Sequence, residues 1–502
     1  MIKVYNTLGG KKDVLKPRKG RKLNIFVCGP TVYDSSHIGH ARTYIAFDII
    51  VKFLRDEGYK VFYLQNITDI DDKIIKKAAE KQLSTEALAK HFEKDYLESM
   101  KKLKVISVSK YARATEHIKE IISQVERLIK KGFAYETSDG IYYDISKFKE
   151  YGKLSKRTAL QAEDSVSRID DGIEKKNKGD FCLWKKSPKQ SSLRSDATGQ
   201  AKPIKEPSWT SPWGPGRPGW HIEDTAITEK YFGSQYDIHG GGRDLLFPHH
   251  EAEIAQMEAI SGKKPLVRYW LHTGFLTVNG EKMSKSLDNF ITIQDFLNKP
   301  DFGNSQEAAR ALRLLFLKSH YRSPIDYSEK TISQIKNELA RIDEFIDKVK
   351  NQKSSVRQAQ DDAELVEASK IKNKKTNIKK LVINTKKEFK KAMEDDFNTP
   401  VALAAIFKLI NEGNALIAEK KLSSVDSKTI ILLLKKVDAV FDFIFWRKPK
   451  TDISQDIVKM VRKREGYRKD KNWQAADDIR KKIEEMGYLV NDTPEGSKIK
   501  KI

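Results

Sequence analysis

Residues 23–40, LNIFVCGPTVYDSSHIGH, contain the pattern that decides the fold. A short apolar run, 23–28, ends in a Gly-Pro turn, and a segment with helical periodicity then begins at His37. A second apolar run, 60–65, is again followed by a polar turn and a helical pattern. Strands that alternate with helices predict an α/β fold with a parallel sheet of the Rossmann type.

A chain of 502 residues is too long for one compact core, so we expect several domains. Changes in composition and periodicity along the sequence indicate where they divide. Residues 134–148 alternate like a β-hairpin, 186–206 resemble a flexible Lys/Ser-rich insertion, and helical patterning dominates after about residue 308. We therefore expect a Rossmann core split by a connective insertion, then an α-helical bundle and a small C-terminal domain. The expected boundaries are 1–125 and 207–276 for the two halves of the core, 126–206 for the insertion, 277–330 for a loop and linking region, 331–450 for the bundle and 451–502 for the terminal domain.

Composition and charge limit the classes of protein to which the chain can belong. Hydrophobic residues make up 39% and charged residues 33%, which is typical of folded chains. The net charge of +24 suits a polyanionic partner, although a basic soluble protein without such a partner is also consistent with it. Two cysteines cannot form a disulfide framework, and neither a signal-peptide pattern nor a stretch near the roughly 18 apolar residues of a spanning helix is visible. We therefore predict a cytoplasmic protein that is not in a membrane.

The first candidate site is the segment His37-Ile-Gly39-His40, which opens a helix directly after a strand and a tight turn. Helix N-termini present unpaired N–H groups and the positive end of the helix dipole, so they suit phosphates. Two histidines three residues apart face the same side, and the glycine between them permits the close approach of a base or a ribose. Two surface histidines near a helix cap are the simpler interpretation of this motif taken alone.

The second candidate site is Glu281-Lys282-Met-Ser-Lys285-Ser286, between an apolar run and the helical region. Two lysines three residues apart in a loop can neutralise a triphosphate, and nucleotidyl transfer depends largely on such charge stabilisation. A lysine-serine loop alone is usually only a solvated loop. The combination with a His-Ile-Gly-His segment after the first strand makes chance a poor explanation.

These two motifs, in this order, resemble the two signatures of class I aminoacyl-tRNA synthetases. The resemblance implies that His37, Gly39 and His40 bind ATP and that the histidines stabilise its phosphates during attack by an amino-acid carboxylate. It also implies that Lys282 and Lys285 hold the charge that develops on pyrophosphate, with Lys285 in direct contact with ATP.

Four further stretches are similar to the cysteinyl-tRNA synthetase family: VCGPTVYD at 27–34, NITDIDDK at 66–73, GWHIE at 219–223 and DIHGGGRDLLFPHHE at 237–251. The resemblance extends from Val27 to about Glu495. It implies ATP-dependent activation of L-cysteine, with Mg²⁺ accompanying ATP, and transfer to the 3′ end of tRNA(Cys) by a monomer. It also implies that the bundle binds the tRNA and that the terminal domain binds its anticodon.

The family also holds a zinc ion on four ligands, and the matching positions here are Cys28, Asp224, His249 and Glu253. An enzyme that chooses cysteine over serine must tell sulfur from oxygen, and zinc does so because it binds a thiolate strongly. Asp224 stands where the family has a cysteine, so we expect one zinc per chain, held with lower affinity or altered selectivity. Without the resemblance, a buried cysteine and a surface pair on a helix are the simpler interpretations.

Several other positions match residues that hold the amino acid in the family. These are Gly29, Thr68, Trp220 and Asp244. Structural roles are equally consistent with two of them, since Thr68 suits a helix N-cap and Trp220 suits a core. Cys182 lies in an apolar run and is expected to be buried rather than reactive.

The terminal domain carries basic side chains that we expect to meet phosphates, namely Arg462, Lys463, Arg464 and Arg468. Trp473 can stack on a base, but a core position is the better expectation for a single Trp on a helix. Family members often end with a Trp after the Gly that matches Gly496, and here the chain ends SKIKKI, which puts that anticodon contact in doubt.

Two rival functions fit parts of the pattern. The bacterial ligase that joins cysteine to an amino sugar in thiol biosynthesis shares the catalytic core, but it lacks a long helical tail such as 331–502. A noncatalytic RNA-binding paralogue is supported by Asp224 alone, and the intact histidines and lysines of the two signatures oppose it.

Overall fold

The computed structural model describes residues 1–157, 174–187, 206–355, 368–446, 454–493 and 496–501. They form two compact units, Met1–Phe445 and Trp446–Ile502. Most of the Lys/Ser-rich stretch 186–206 lies outside the described residues. The six-part division of the chain stays a prediction.

The larger unit alternates short strands with helices and ends in long helices. Its strands are β1 Lys3–Asn6, β2 Lys11–Val14, β3 Lys22–Val27, β4 Lys60–Ile67, β5 Lys110–Arg113, β6 Ala134–Glu136, β7 Gly140–Tyr143, β8 Phe181–Lys186, β9 Gly216–Pro218, β10 Tyr236–Gly242, β11 Val267–Thr273, β12 Leu276–Val278, β13 Glu281–Lys282 and β14 Ile325–Tyr327. Its helices are α1 Ile38–Asp56, α2 Asp72–Glu80, α3 Thr85–Lys102, α4 Ile118–Lys130, α5 Ile222–Phe232, α6 His249–Ser261, α7 Ile293–Leu297, α8 Ser305–Leu317, α9 Glu329–Ser355, α10 Ala368–Glu394, α11 Thr399–Ala418 and α12 Ser424–Phe441.

The central sheet has five parallel strands in the order β11-β10-β3-β4-β5. From β3 the chain winds outward through β4 and β5, and it then returns to the other side of β3 with β10 and β11. The strand order therefore reverses between β3 and β10, and in open α/β sheets ligands bind at the carboxyl ends of the strands at such a point. The predicted α/β fold is confirmed, including the strand-turn-helix unit built by residues 23–54.

Helix α1 lies tightly against this sheet. Phe47 is fully buried, and a Cβ atom at Gly240 of β10 would lie only 2.1 Å from its ring. A side chain at position 240 would push the helix away from the sheet. Burial of Phe47 itself contributes about 1.5–3 kcal/mol to stability.

Between β5 and β10 the chain forms an antiparallel sheet in the order β6-β7-β8-β9, and β9 lies beyond the predicted end of the insertion at residue 206. The predicted hairpin is present, since β6 pairs with β7 from Ala134 opposite Tyr143 to Glu136 opposite Ile141. Strand β8 contains the apolar run around Cys182. Cys182 of β8 is 1% exposed, so the prediction that it is buried is confirmed.

Helices α9 to α12 form the bundle, and α8 joins it to the core. Arg313 of α8 and Asp48 of α1 form an ion pair of 3.1 Å between two fully buried side chains. Arg313 also donates to the carbonyl of Phe441 at the end of α12, at 3.1 Å from Nε. A buried charge needs such partners, so this arginine fixes the junction of α1, α8 and α12.

One helix in the described part of the chain, α11, is long and apolar enough to cross a membrane, with a mean hydropathy of 1.5 in its most apolar window. The expectation that no stretch approaches this composition was therefore wrong. Within that window 39% of the residues are buried inside the protein. Its buried positions, which include Leu403, Ile406 and Leu409, recur at three-residue spacing, as expected for a helix that packs in a bundle.

The smaller unit consists of α13 Gln455–Lys469, α14 Trp473–Glu485, β15 Tyr488–Thr493 and β16 Gly496–Lys501, with β15 and β16 paired as an antiparallel hairpin. Its core contains Ile457, Val461, Ile483 and Val490.

Two expectations for this smaller unit need correction. Trp473 is not in the core, because it occupies the first turn of α14 with 58% of its surface exposed. Arg464 is not available to a phosphate, because it is 2% exposed and donates to both carboxylate oxygens of Asp492 at 2.7 and 2.8 Å. A buried arginine on the apolar face of a helix takes a carboxylate partner from its own domain.

Candidate active site and metal centre

The site begins where β3 ends. Cys28 follows this strand directly, is 5% exposed, and donates its backbone N–H to the carbonyl of Gly240 at 3.1 Å. The next residue, Gly29, passes so close to Asn66 that a Cβ atom there would lie 1.7 Å from the Asn66 carbonyl oxygen. A glycine is therefore required for the chain to leave β3 at this angle, and the thiol stays at the reversal point of the sheet.

The four predicted metal ligands lie together. The ligand atoms of Cys28, Asp224, His249 and Glu253 are all within 4.8 Å of one another, and all four residues are buried. Asp224 comes from the first turn of α5, and His249 and Glu253 lie one turn apart on one face of α6, as their spacing predicts. Residues from a strand end and two helices thus converge on one point.

The distances within this cluster suit a tetrahedral zinc site. Bonds of 2.0–2.3 Å to zinc place neighbouring ligand atoms about 3.3–3.8 Å apart. Cys28 Sγ lies 3.4 Å from Asp224 Oδ2, and His249 Nε2 lies 3.4 Å from Glu253 Oε1. His249 Nε2 and Asp224 Oδ2 are closer, at 2.9 Å, because they share a hydrogen bond.

Buried oxygen atoms without hydrogen-bond partners also indicate a metal site. Asp224 Oδ1 and both carboxylate oxygens of Glu253 are buried without a hydrogen-bond partner. Such atoms are costly in a protein interior unless an ion completes them. The donor set of one thiol, one imidazole and two carboxylates therefore fits a zinc ion.

The electrostatics of the cluster disfavour its ionised form without a cation. Burial raises the pKa of the Cys28 thiol well above its usual value, and the carboxylates of Asp224 and Glu253 raise it further. Burial, followed by the charges of Asp224 and Glu223, likewise raises the pKa of Glu253. A bound dication would reverse both effects and allow the thiolate and the carboxylates to exist together.

Two more histidines approach the same thiol, and the sequence analysis missed them. The Nε2 atoms of His239 and His250 lie 3.3 and 3.2 Å from Cys28 Sγ. With Cys28 and Glu253 they form a second possible ligand set. Both belong to the motif at 237–251, but their sequence spacing gives no sign that strand β10 and helix α6 place them beside the strand end.

The surroundings orient these rings. The hydroxyl of Tyr236 lies 2.6 Å from His239 Nδ1, and His272 Nε2 lies 2.9 Å from His250 Nδ1. His249 stacks on Trp220, with ring centroids 4.3 Å apart. Partners of this kind fix the orientation of metal-binding imidazoles.

The other residues predicted to hold the amino acid are divided between this cluster and the surface. Thr68 is buried and its hydroxyl donates to the carboxylate of Glu223, next to Asp224. It is not a helix N-cap, because Asp71 caps α2. Trp220 is only half-buried and stacks on His249, so it lies at the edge of the cluster rather than in a core. Asp244 is exposed on a 3₁₀ turn after β10.

His37 and His40 lie at the start of α1 with their rings stacked, 3.8 Å apart. His37 is the N-cap residue, and its Nδ1 accepts the N–H of Gly39 at 3.1 Å. A Cβ atom at Gly39 would lie 2.8 Å from the His37 ring, so the glycine is needed for this arrangement. Burial lowers the pKa of His37 to about 4 and lowers that of His40 well below its usual value. Both rings are therefore neutral at pH 7.

The second signature lies next to the first. The N–H of Ile38 donates to the carbonyl of Ile291 at 3.1 Å, and that of Ile293 donates to the carbonyl of Ser36 at 2.8 Å. We call the segment around the second signature, 281–291, the lysine loop. These bonds attach its end to the start of α1. Lys282 is exposed on β13, and Lys285 begins a 3₁₀ turn, Lys285–Leu287. The fold thus brings the two motifs together across more than 240 residues of sequence, from His37 to Lys282.

Comparison with known proteins shows the family to which the chain belongs. The family model "tRNA synthetases class I (C) catalytic domain" matches residues 14–337, and the model "DALR domain" matches residues 388–444. The cysteine–tRNA ligase of Thermococcus gammatolerans is 43% identical, with 100% of this chain and 99% of that protein aligned. The chain belongs to the cysteine–tRNA ligase family. The cysteine–tRNA ligase of Methanococcus maripaludis strain S2 is likewise 43% identical over the full length of both chains.

Solved structures agree with the class I fold of the cysteine–tRNA ligase family. Methionyl-tRNA synthetase of Mycobacterium tuberculosis, in complex with methionyl-adenylate, aligns with a TM-score of 0.57 at 16% identity over 84% of this chain and 90% of that one. The LeuRS–tRNA–LeuAMS ternary complex of Agrobacterium radiobacter K84 aligns with a TM-score of 0.60 at 12% identity over 86% of this chain and 85% of that one. At these identities the likeness concerns the fold alone.

Proposed function

We propose that this chain activates L-cysteine with ATP and transfers it to the 3′ end of tRNA(Cys). The carboxylate of cysteine attacks the α-phosphorus of ATP, cysteinyl-adenylate forms, and pyrophosphate leaves. A terminal hydroxyl of the tRNA then attacks the adenylate carbonyl, and AMP leaves. The observation that carries the proposal is a buried thiol-imidazole-carboxylate cluster at the strand ends of a class I core, in a chain with both signature motifs.

The residues of α1 and of the lysine loop would act on ATP. The neutral rings of His37 and His40, together with the N-terminus of α1, would donate hydrogen bonds to the phosphates. Gly39 makes room for the His37 ring, and we propose that the backbone at this position contacts the nucleotide. Lys282 and Lys285 would balance the charge on pyrophosphate as it leaves, with Mg²⁺ on the phosphates.

The cluster would select the amino acid. Cys28, Asp224, His249 and Glu253 would hold one zinc ion per chain, which when bound prefers a thiolate to a hydroxyl. Trp220 and Thr68 border the cluster, and we propose that they contact the amino acid together with Gly29, whose backbone passes close to Asn66. Asp244 lies on the exposed turn that follows β10, from which we propose that it contacts the amino group of cysteine.

We also propose that residues 331–450 bind the body of the tRNA and that 451–502 bind the anticodon, with the enzyme a monomer in the cytoplasm. The DALR match at 388–444 and the full-length alignment with cysteine–tRNA ligases favour this reading over the amino-sugar ligase, which lacks the helical tail. The noncatalytic paralogue rests on Asp224 alone. Asp224 keeps a negative charge and a metal-binding oxygen at the position of the family's cysteine.

ATP–pyrophosphate exchange with each amino acid, with and without a zinc chelator, tests the proposal. We expect exchange with cysteine, little with serine, and loss of exchange in the chelator. Absence of exchange with cysteine in zinc-loaded enzyme would favour the paralogue. Equal exchange with serine would mean that Asp224 has removed the basis of selection. Charging of tRNA(Cys) tests the second step.

A further inference from the structure

Asp396 links the helical bundle to the part of the core that carries both signature motifs. It lies between α10 and α11 in the stretch MEDDFNTP, 393–400, it is fully buried, and its backbone has φ +63°. Its Oδ1 accepts the N–H of Tyr5 and the hydroxyl of Tyr321, both at 2.8 Å. Its Oδ2 accepts Nε of Arg322 at 2.7 Å. A buried carboxylate with three donors holds them firmly in place.

The segment 320–323 that Asp396 holds is in turn a support for α1. Arg42, two residues after His40, is 3% exposed and donates through Nη2 to the carbonyls of Tyr321 and Ser323, the former at 3.4 Å. The orientation of the helix that begins with the two signature histidines therefore depends on the position of these carbonyls.

The same segment supports the lysine loop. Gly274 donates its N–H to the carbonyl of Tyr321 at 2.8 Å, and a Cβ atom there would lie 2.3 Å from the carbonyl oxygen of Ser323. Strand β14, which follows the segment, pairs with β12, and β12 pairs with β13, on which Lys282 lies. A shift of 320–323 would thus move α1 and the lysine loop relative to each other.

We propose that Asp396 is a positioning residue for the ATP site: through Arg322 and Tyr321 it fixes the segment on which the two signature motifs are aligned. The proposal rests on the proposed function only in identifying those motifs with ATP binding. Because Asp396 lies in the region matched by the DALR domain, the contact also couples the bundle to the chemistry of activation.

The variant Asp396→Asn tests this at Oδ2, which accepts from Arg322 Nε at 2.7 Å and lies 3.5 Å from His320 Nε2. Asparagine tolerates a left-handed backbone and keeps the oxygen that accepts from Tyr5 and Tyr321, but its amide cannot accept from Arg322. A small displacement of aligned reacting groups is costly, so we expect the KM for ATP in pyrophosphate exchange to rise by about tenfold or more. The KM for cysteine should stay within about twofold, since the metal cluster is held by other contacts.

Asp442→Asn is a matched control. Asp442 also joins the bundle to the core from a left-handed position, with φ +52°, but it pairs with Lys52 and Lys104, at 2.8 and 3.1 Å. The Asp442→Asn variant is expected to have lower thermal stability, with the KM for ATP and the KM for cysteine both unchanged. Arg322→Met should reproduce the effect of Asp396→Asn, and the double variant should be no worse than either single one.

A positioning role of Asp396 differs from a purely structural role in its effect on the KM for ATP. Asp396→Asn that only lowers thermal stability, as Asp442→Asn is expected to do, or that raises both KM values together, would overturn the proposal. Equilibrium binding of ATP to each variant and to wild type should give the same fold-change as the KM for ATP, and it does not depend on the reaction. A wild-type protein that lacks exchange would refute the proposed function, and the ATP affinities of the two variants would still decide the role of Asp396.

Discussion

The thiol of Cys28 faces the carboxylate of Asp224 at 3.4 Å, although 196 residues separate them in the chain. Burial, and then the charge of Asp224, raises the pKa of the thiol, so a thiolate beside this carboxylate is unfavourable unless a cation lies between them. Position 224 thus offers a hard oxygen donor where the resemblance places a cysteine, and zinc is of intermediate softness.

Replacement of Asp224 should change the affinity for zinc in a defined order. We expect Asp224→Ala to weaken zinc binding by at least about tenfold and Asp224→Cys to strengthen it, because one variant removes a ligand and the other adds a second thiolate. Competition with a chromophoric chelator measures the affinity. Asp244→Ala, which removes an exposed acid nearby, is the control and should leave zinc binding unchanged. Equal affinities for wild type and Asp224→Ala would exclude Asp224 as a ligand.

The adjacent histidines of α6 decide which ligand set is used. His249 and His250 are 2% and 0% exposed, and each belongs to one of the two sets around Cys28 and Glu253. We expect His249→Ala to lose zinc and His250→Ala to retain it, since His249 faces both carboxylates. Zinc content after gel filtration, with circular dichroism to check folding, gives the answer. The opposite pattern would assign the ion to His239 and His250.

The sequence predicted the core well and the surroundings of the site poorly, for a physical reason. A strand, a Gly-Pro turn and a periodic helix are local patterns, so β3 and α1 could be placed from residues 23–54 alone. His239 and His250 could not be assigned, because their proximity to Cys28 depends on the pairing of β10 with β3. Trp473 and Arg464 were misjudged because helical spacing does not reveal which side of a short helix meets a neighbour.

The neutrality of His37 predicts an acid-sensitive contribution to stability. Its pKa is lowered to about 4 by burial, whereas an unfolded histidine titrates near pH 6.5. Between these values the unfolded chain binds the extra proton, so stability falls as the pH is lowered from about 6.5 to 4, by about 3 kcal/mol for this group. His37→Asn keeps an N-cap side chain and removes the titration. Its unfolding free energy, measured in urea across this range, should depend less on pH than that of wild type; identical slopes would contradict the assignment.

The basic residues of the smaller unit should separate into two kinds. Arg462 and Lys463 are exposed on α13, whereas Arg464 is buried against Asp492 and holds the pKa of that carboxyl well below its usual range. We expect Arg462→Gln with Lys463→Gln to weaken tRNA binding and to reduce the slope of log affinity against log salt by about 1–2, since each phosphate contact contributes about 0.7–0.9.

Arg464→Met should act on folding instead of binding. Loss of its bonds leaves the carboxylate of Asp492 without its main partner, at a cost of about 1–3 kcal/mol that is moderated because Asp492 is 36% exposed. Filter binding over a range of salt concentrations and thermal unfolding of the full chain distinguish the two effects. A reduced salt slope in Arg464→Met at unchanged stability would show that the ion pair opens for RNA, because only a side chain released from Asp492 could contact a phosphate.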